Sequence, residues 1–507
     1  MSKLRFASIL FLVSTAFLKF SSMLRDLTIA GLFGSSYKTD AYIAAMTIPN
    51  AIVLFMLTGM KDAFLPSYYK YDRLGKGFSH LTNIVKGTFW ISLAISIVGT
   101  AISPWLVRIL YPKFGHYAHG FEIASWTAVL YFLSIALVGV NAVYEGYFDS
   151  QKKFSFSTFS QTVVVLATVG SALVFHKWLG IYSVPIGYFV GTFLSFLIKL
   201  VYLKPSKFLN WRQKIDIPEV KMFYSIFWPV GLTIAVGQIN LSVNMLFAAQ
   251  LGGGVVSNLN YAFRLVNIPQ AIFGVTIATI VYPILAQAKA DKNDGLFRLG
   301  MERGLSYMYL FLAPTVAGML VLMEPIVKTV YERGAFDAAA TSETSKFAIY
   351  YVGSVLFYSI QAVVAKGFYT LEKGHLIMRI GLISIVVNVV SNYVFGKLMG
   401  PSGLALSSSI VAMVYSTMTF STLYKISGGF DLKKIGKEYW KVTVATIIMS
   451  VLLILIGKTN LLHLHHILYL AIMIIIGALL YFLSLAILRS GSFQELLAKG
   501  GKRKSSI

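Results

Sequence analysis

Six basic residues lie inside long apolar runs of this sequence, where a charged side chain is costly. They are Lys19, Arg25, Lys61, Lys199, Arg264 and Lys366. A charge near the centre of a bilayer costs at least about 2.5–3.5 kcal/mol on insertion scales, so such a side chain must face protein, water or a ligand. Arginine offers planar bidentate hydrogen bonds and lysine a point charge, and both suit a phosphate or pyrophosphate group. The pattern therefore favours a cationic interior that binds an anion.

Acidic residues neutralise only some of these cations in the sequence. Arg25-Asp26 and Lys61-Asp62 are adjacent opposite charges, for which structural ion pairing is the plain alternative to ligand binding. No acidic residue lies within one helical turn of Arg264, so that side chain needs an external anion or a partner from another helix.

The same holds for Lys366, which also has no acidic residue within one helical turn. Two other charges lie near the ends of their apolar runs. We expect Lys199 to extend towards the membrane surface at one end, and Glu324 to do the same at the outer face.

The composition defines the setting of these charges. Of 507 residues, 57% are hydrophobic and 13% are charged, against roughly a quarter charged in soluble domains. This excludes a soluble enzyme, a disordered chain and a nucleic-acid-binding domain, and it predicts an all-α polytopic membrane protein. Because the chain has no cysteine, disulfides, thiolate metal sites and cysteine nucleophiles are excluded.

Fourteen apolar segments are long enough to cross a membrane, at about 20 residues each. They lie near 6–33, 40–66, 87–105, 122–144, 156–175, 181–202, 222–248, 259–285, 304–327, 347–370, 380–396, 403–423, 442–456 and 467–488. The first, second, seventh and eighth are long and contain polar residues, so we expect kinks or tilts there.

Loop charges orient the segments. The net charge is +24, and the loops on the side of the two termini carry roughly three times as many Lys and Arg residues as the opposite loops. Both termini are therefore predicted to be cytoplasmic. Residues 491–507 are predicted to form a basic cytoplasmic tail that includes Lys502-Arg503-Lys504.

A short motif indicates an internal duplication. Residues 48–52 (Ile-Pro-Asn-Ala-Ile) recur as residues 268–272 (Ile-Pro-Gln-Ala-Ile), which lie six predicted spans later, and each copy precedes a second proline. This predicts a parallel repeat about an axis along the membrane normal, of the kind in which two halves rock around a substrate.

The predicted regions are a six-helix lobe at 1–215, a second at 216–428 and two extra helices at 429–490. Because proline interrupts helix hydrogen bonding, the predicted hinge residues are Pro49, Asn50, Pro66 and Pro269.

Two short segments partly resemble motifs of phosphate-binding and metal sites. Gly457-Lys458-Thr459 resembles the end of a phosphate-binding loop, but Leu452 stands where its first glycine belongs. Residues 463–466 (His-Leu-His-His) are interpreted as solvated histidines of an outer loop rather than metal ligands. No cofactor, metal or bond-making chemistry is predicted, so a membrane potential or an ion gradient would drive any transport.

Several motifs together resemble a known family, over residues 5 to about 425. They are Arg25-Asp26, Phe33-Gly34, Thr39-Asp40-Ala41-Tyr42, Pro49-Asn50, Ala63-Phe64-Leu65-Pro66, Tyr261-Ala262-Phe263-Arg264, Glu332-Arg333-Gly334-Ala335-Phe336-Asp337 and Gly367-Phe368-Tyr369. This combination is similar to that of the MurJ (MviN) family of lipid II flippases, in the multidrug/oligosaccharidyl-lipid/polysaccharide exporter superfamily.

The resemblance implies two six-helix lobes around a cationic central cavity, and two terminal helices that form a groove for a polyprenyl tail. It implies movement of an undecaprenyl-pyrophosphate-linked peptidoglycan precursor from the inner to the outer leaflet, with membrane lipids and the cell-wall synthesis machinery as partners. The predicted substrate-binding residues are Lys19, Arg25, Asp40, Lys61, Arg264 and Lys366, with Asp40 organising the basic side chains.

Two other functions are compatible with the sequence. Val53-Leu54 stand where the family often has an arginine pair, and Phe263 and Asn267 replace acids expected beside Arg264. These departures leave open a flippase for another polyprenyl-linked oligosaccharide, such as a capsule, exopolysaccharide or teichoic-type intermediate. A cation-coupled drug exporter is the further alternative, and it would depend on acids such as Asp40 or Asp62.

Overall fold

The computed structural model describes residues 3–204, 209–458 and 465–502 of the chain. Within these ranges the protein is all-α, and the extended pairing there is one isolated bridge between Arg333 and Phe336. The chain forms two compact units, which consist of Met1–Ser257 with Arg333–Asp337, and of Asn258–Glu332 with Ala338–Ile507. We call them unit 1 and unit 2.

Unit 1 contains seven long helices and the start of an eighth. The seven are α1 (Lys3–Phe33), α2 (Tyr37–Asp72), α3 (Gly77–Leu110), α4 (Gly120–Ser150), α5 (Phe154–Leu179), α6 (Ser183–Leu203) and α7 (Ile217–Ala248). Their core lies where α2, α3, α4 and α7 meet, around buried side chains such as Met60, Phe64 and Tyr144.

The remaining helices belong to unit 2. They are α8 (Val255–Val266), α9 (Val275–Ala290), α10 (Asp294–Val321), α11 (Met323–Tyr331), α12 (Ala338–Thr370), α13 (Gly374–Met399), α14 (Pro401–Ile426), α15 (Leu432–Lys458), α16 (His466–Ile487) and α17 (Gly491–Lys502). Helix α8 starts in the last residues of unit 1.

Each of the fourteen predicted spans contains one helix or two consecutive helices. Eleven stretches of the described residues are long and apolar enough to cross a membrane, and one of them, Phe154–Leu203, covers both α5 and α6. The predicted polytopic all-α membrane fold is therefore confirmed, with fourteen as an approximate number of spans.

Two predicted spans are broken rather than continuous. In the eighth, α8 ends at Val266 and a π-helical turn at Gln270–Gly274 precedes α9, next to Pro269, which lacks the amide hydrogen that a helix requires. In the ninth, α10 ends at Val321 and α11 begins at Met323, with Leu322 between them.

The repeat is visible in the helix boundaries. Helices α5 and α13 both have 26 residues, and α13 starts and ends 220 positions after Phe154 and Leu179. Helices α4 and α12 end at Ser150 and Thr370, with the same offset. The predicted lobe boundaries stay a prediction, because the compact units group α7 with the first six helices.

The segment predicted as a basic tail begins with a helix. Helix α17 occupies Gly491–Lys502, and residues 503–507 lie outside the described residues. The Glu438 carboxylate of α15 accepts hydrogen bonds from the Gly491 and Ser492 amides at 2.9 and 3.3 Å. A carboxylate at a helix N-terminus satisfies amides that have no partner within the helix, so Glu438 stabilises this start.

Candidate substrate-binding site

Helix α1 carries the first two predicted cations. Arg25 is 23% exposed, and its Nε and Nη2 atoms donate to Asp26 Oδ1 at 3.1 and 2.9 Å, so the predicted ion pair is present. This pair uses two of the five N–H groups of a guanidinium. Lys19 is exposed on the same helix, and none of the ion pairs among the described residues includes it.

Asp40 lies at the start of α2 and is 1% exposed. Its two carboxylate oxygens accept hydrogen bonds from the backbone amides of Gly254, at 2.6 Å, and Ser257, at 2.7 Å. These amides open helix α8, so the carboxylate acts as a helix cap. The predicted role of Asp40 in organising basic side chains stays a prediction, since these partners are backbone groups.

Lys61 of α2 belongs to a buried ion network. Its Nζ atom lies 3.2 Å from Glu145 Oε2 and 3.7 Å from Asp149 Oδ2, both on α4, and it donates to Ser157 Oγ of α5 at 2.5 Å. The sequence paired Lys61 with Asp62 instead. The next residue of a helix points about 100° away around the axis, and Asp62 is exposed.

The expectation that Lys199 extends to the membrane surface is wrong. Its side chain is fully buried, and Nζ donates to Glu145 Oε1 at 2.9 Å and to Ser195 Oγ at 3.2 Å. Glu145, which is 2% exposed, also accepts from Gln161 Nε2 at 2.7 Å. A buried charge requires an opposite charge and hydrogen bonds, and here one carboxylate serves two lysines.

Sequence reasoning missed Glu145 for a simple reason. The predicted span ended at residue 144, which placed Glu145 and Asp149 in a loop, whereas α4 continues to Ser150. Two acids spaced four residues apart at the end of a span were the available signal, because they share one helix face. The structure thus holds the Lys61 ammonium between two carboxylates.

Unit 2 holds the other two predicted cations. Arg264 Nε of α8 donates to Asn260 Oδ1, one turn earlier, at 3.3 Å. Lys366 of α12 is partly buried, and its Nζ lies 5.2 Å from the ring centre of Tyr282 and 5.8 Å from that of Tyr369. Aromatic faces attract an ammonium, and none of the ion pairs among the described residues includes Lys366.

The predicted hinge prolines occupy different settings. Pro49, Asn50 and Pro66 all lie within the continuous helix α2, whereas Pro269 directly precedes the π-helical turn. The structure therefore shows a break at the second copy of the motif, and movement at any of these residues stays a prediction.

The loop motif at 332–337 has a packing role in unit 1. The Ala335 amide donates to the Gly31 carbonyl at 2.8 Å, at the end of α1. Gly34 and Gly334 both have φ of +59°, and a Cβ atom at either would collide with a backbone carbonyl oxygen across this contact. Glycine is therefore required at both positions by conformation and by space.

An apolar groove of about 350 Å³ lies in unit 2, between α10 and α11 on one side and α15 and α16 on the other. Its walls include Phe311, Met319, Met449, Met473 and Phe482. Helices α15 and α16 are joined to α10 by hydrogen bonds within the apolar region, from Tyr481 Oη to the Leu310 carbonyl at 2.6 Å and between Tyr309 Oη and Thr443 Oγ1 at 2.9 Å.

Metal-binding side chains do not cluster in the parts of the chain that the structure describes, where no group of three His, Asp or Glu residues could hold an ion. Of the predicted outer-loop histidines, His463 lies outside the described residues, and the rings of His465 and His466 contact each other at 4.1 Å between centres.

Comparison with known proteins identifies relatives over most of the chain. A family model described as "Lipid II flippase MurJ" matches residues 29–475. A lipid II flippase MurJ of Burkholderia cenocepacia is 28% identical over 417 residues, which is 80% of this chain and 81% of the relative. The corresponding protein of Thermosipho africanus is 25% identical over 478 residues, which is 94% of this chain and 95% of the relative.

Solved structures agree with this assignment. The structure of "Lipid II flippase MurJ, inward closed conformation" matches with a TM-score of 0.82 and 25% identity, and covers 96% of this chain and all of that chain. An inward-facing multidrug resistance MATE family transporter of the MOP superfamily matches with a TM-score of 0.65 at 14% identity, which shows a shared fold. This multi-pass bacterial membrane protein belongs to the MurJ lipid II flippase family.

Proposed function

We propose that this protein moves lipid II, an undecaprenyl-pyrophosphate-linked peptidoglycan precursor, from the inner to the outer leaflet by alternating access. The observation that carries the proposal is the family match, which extends from α1 to α16. The protein acts as a transporter, and no covalent bond of the substrate forms or breaks. Both termini lie in the cytoplasm, as the distribution of loop charge predicts.

The pyrophosphate of the substrate binds to intramembrane basic side chains. Lys19 and Lys366 are the main candidates, because neither forms an ion pair among the described residues. Arg25 and Arg264 add planar guanidinium donors, which match phosphate oxygens well. We do not include Lys61 among the proposed substrate-binding residues, since its ammonium contacts Glu145 and Asp149.

The polyprenyl tail lies in the apolar groove of unit 2, while the headgroup crosses the membrane. Gly318 and Gly477 line this groove and give it room, since a Cβ atom built on Gly318 meets no other atom within 4 Å. A branched hydrocarbon chain buries apolar surface there without needing any hydrogen bond.

The membrane potential or an ion gradient supplies the energy. Moving one negative charge outward gains about 2.3 kcal/mol per 100 mV of potential. A pyrophosphate diester therefore favours export in an energised cell. Dissipating the potential in cells that depend on this protein is expected to stop transport.

The first experiment is genetic. The cell's other lipid II flippases are depleted, and rescue of growth is compared for the intact chain, Lys366→Met and Arg264→Ala, with membrane levels of each protein measured. We expect rescue by the intact chain and at least tenfold poorer plating with either variant at equal protein level. Failure of the intact chain to rescue would favour the other polyprenyl-linked oligosaccharides, and equal rescue by all three would refute the cationic site.

A second experiment tests the groove. Gly318→Leu fills it without a backbone clash, and Gly170→Leu is the matched control because Gly170 is an exposed helical glycine with the same free space around its Cβ. We expect slower flipping by Gly318→Leu in proteoliposomes at unchanged melting temperature, and wild-type rates for Gly170→Leu. Equal rates for both variants would exclude the groove from the transport path.

A further inference from the structure

A second cavity, of about 560 Å³, lies in unit 1 where α1, α5 and α6 meet the turn between α4 and α5. It is distinct from the groove of the proposed function. One wall is apolar and consists of Leu10, Val13 and Phe17 from α1 and Phe159 from α5. Phe17 and Phe159 are each 51% exposed, so this wall is open to the surroundings of the helices.

One end of the cavity is strongly basic. Lys152 and Lys153 form the turn between α4 and α5 and both line the cavity. Lys153 Nζ lies 3.5 Å from the Tyr202 hydroxyl and 5.1 Å from the centre of its ring. The nearest acid in sequence, Asp149, pairs with Lys61, and none of the ion pairs among the described residues includes Lys152 or Lys153.

The turn holds these lysines in place through its backbone. The Lys152 amide donates to the Asp149 carbonyl at 3.0 Å, and the Lys153 amide donates to the Phe148 carbonyl at 2.9 Å. Lys152 has φ of +59°, a conformation that L-residues seldom adopt. The backbone of the basic end is therefore hydrogen-bonded to the last turn of α4.

The polar side chains of the cavity fit a small headgroup. Apart from the two lysines and Tyr202, the polar lining consists of the hydroxyls of Ser14, Ser155 and Thr162. The described residues that line it include no Asn, Gln, Asp or Glu, which are side chains that offer several hydrogen-bonding atoms to sugar and peptide groups. The described lining therefore offers few hydrogen-bonding side chains to a large saccharide headgroup.

We propose that this cavity binds one two-chain anionic glycerophospholipid of the surrounding leaflet. The phosphate lies against Lys152, Lys153 and the Tyr202 hydroxyl, and the acyl chains extend along the wall formed by Leu10, Val13 and Phe17. Charge complementarity selects an anionic over a zwitterionic lipid, since a juxtamembrane lysine attracts anionic lipid by about 1 kcal/mol, or fivefold in affinity.

The repeat provides a matched control. Glu372 and Lys373 stand 220 positions after Lys152 and Lys153, in the turn between α12 and α13. Glu372 has φ of +58°, close to that of Lys152, but its side chain is an acid. The two turns share a backbone conformation and differ in charge, so only the turn of unit 1 should recognise a phosphate.

The test measures lipid binding to the purified full-length chain by native mass spectrometry, with phosphatidylglycerol and phosphatidylcholine as probes. We expect one phosphatidylglycerol to bind at least tenfold more tightly than phosphatidylcholine. Lys152→Ala with Lys153→Ala should reduce its affinity by about 25-fold, on the basis of fivefold per lysine, Lys153→Arg should retain it, and Lys373→Ala should leave it unchanged.

Several outcomes would overturn the assignment. Equal binding of the two probes, or an equal loss with Lys373→Ala, would exclude a specific anionic-lipid site. Displacement of phosphatidylglycerol by undecaprenyl pyrophosphate, one for one, would assign the cavity to the polyprenyl substrate instead. Melting temperatures in phosphatidylcholine micelles show that each variant is folded, and the result is independent of whether the protein flips lipid II.

Discussion

Lys61 in unit 1 and Lys366 in unit 2 are both intramembrane lysines, but their surroundings differ. Lys61 lies among two carboxylates and a second lysine, whereas Lys366 lies against two tyrosine rings. An ammonium between carboxylates is a structural element, since removing any member leaves an uncompensated buried charge. An ammonium against aromatic faces keeps a positive field that a pyrophosphate can use.

The repeat explains how this difference arose within one scaffold. Val281, Ala365, Thr419 and Tyr369 stand 220 positions after Lys61, Glu145, Lys199 and Asp149. The second half thus has apolar or neutral residues wherever the first has the ion network, and the counterpart of Asp149 is one of the two rings that contact Lys366. Two copies of the same helix arrangement therefore differ in their charged groups, with an ion network in the first half and a lysine against two aromatic rings in the second.

Loss of Glu145 should have the largest effect. Glu145→Ala leaves Lys61 and Lys199 facing each other without their shared carboxylate, so we expect a loss of about 3–5 kcal/mol in the free energy of unfolding. Fluorescence-detected size-exclusion chromatography after graded heating measures this as a lower melting temperature and less folded protein in membranes. Asp62→Asn is the control, because Asp62 is exposed, and it should behave as the intact chain does.

A combined variant sharpens this result. Lys61→Val, Glu145→Ala, Asp149→Tyr and Lys199→Thr together copy the residues of the second half, and we expect most of the lost stability to return, since apolar groups can replace a whole buried ion cluster at little cost. If Glu145→Ala alone is as stable as the intact chain, the network does not hold unit 1 together.

The next effect concerns the equivalent positions Asp40 and Asn260, which stand 220 residues apart. Asp40→Ala leaves two backbone amides at the start of α8 without their acceptor, which should cost about 1–3 kcal/mol. Asn260→Ala removes one 3.3 Å contact to Arg264 and should cost less than about 1 kcal/mol. Melting temperatures of the two variants, side by side, test this order, and a reversed order would contradict the capping role of Asp40.

Lys366 should affect transport far more than stability. Lys366→Met removes the positive charge but keeps the length of the side chain, so we expect flipping in proteoliposomes to fall about tenfold, equivalent to about 1.4 kcal/mol, while the melting temperature changes little. Lys61→Met should do the reverse and destabilise the protein. Lys366→Arg keeps the charge and should keep most of the activity. A wild-type rate for Lys366→Met would contradict the proposed role of Lys366 in binding the pyrophosphate.

Sequence patterns predicted the elements well because hydropathy and length alone decide where helices cross a membrane. All fourteen predicted segments are helical, and the offset of 220 residues read from a five-residue motif also relates α5 to α13. The positions at which the helices are interrupted were harder to predict. Pro49 and Pro269 belong to the same motif, yet only the second adjoins a π-helical turn, because neighbouring packing decides whether a helix accommodates a proline.

Partners of the charged residues could be predicted only where they were adjacent in sequence. Arg25-Asp26 is such a case and is confirmed. The partners of Lys61 and Lys199 come from helix α4, more than 50 residues away from Lys199 and more than 80 from Lys61. A single sequence does not reveal which faces of distant helices meet, and an error of a few residues at the end of a span hid Glu145 in a loop.

The smallest expected effect compares the two left-handed turn residues, Lys152 and Glu372. Both have φ close to +58°, which glycine adopts without strain, so Lys152→Gly and Glu372→Gly should each stabilise the protein by less than about 1 kcal/mol and by similar amounts in phosphatidylcholine. In phosphatidylglycerol the stabilities of the two variants should differ. Lys152→Gly also removes a charge from the proposed lipid site, so it loses part of the stabilisation that bound lipid provides. Melting curves of both variants in the two lipids measure this difference. If the pair behaves alike in phosphatidylglycerol as well, the turn of unit 1 owes its conformation to the fold alone and its lysines do not hold a lipid.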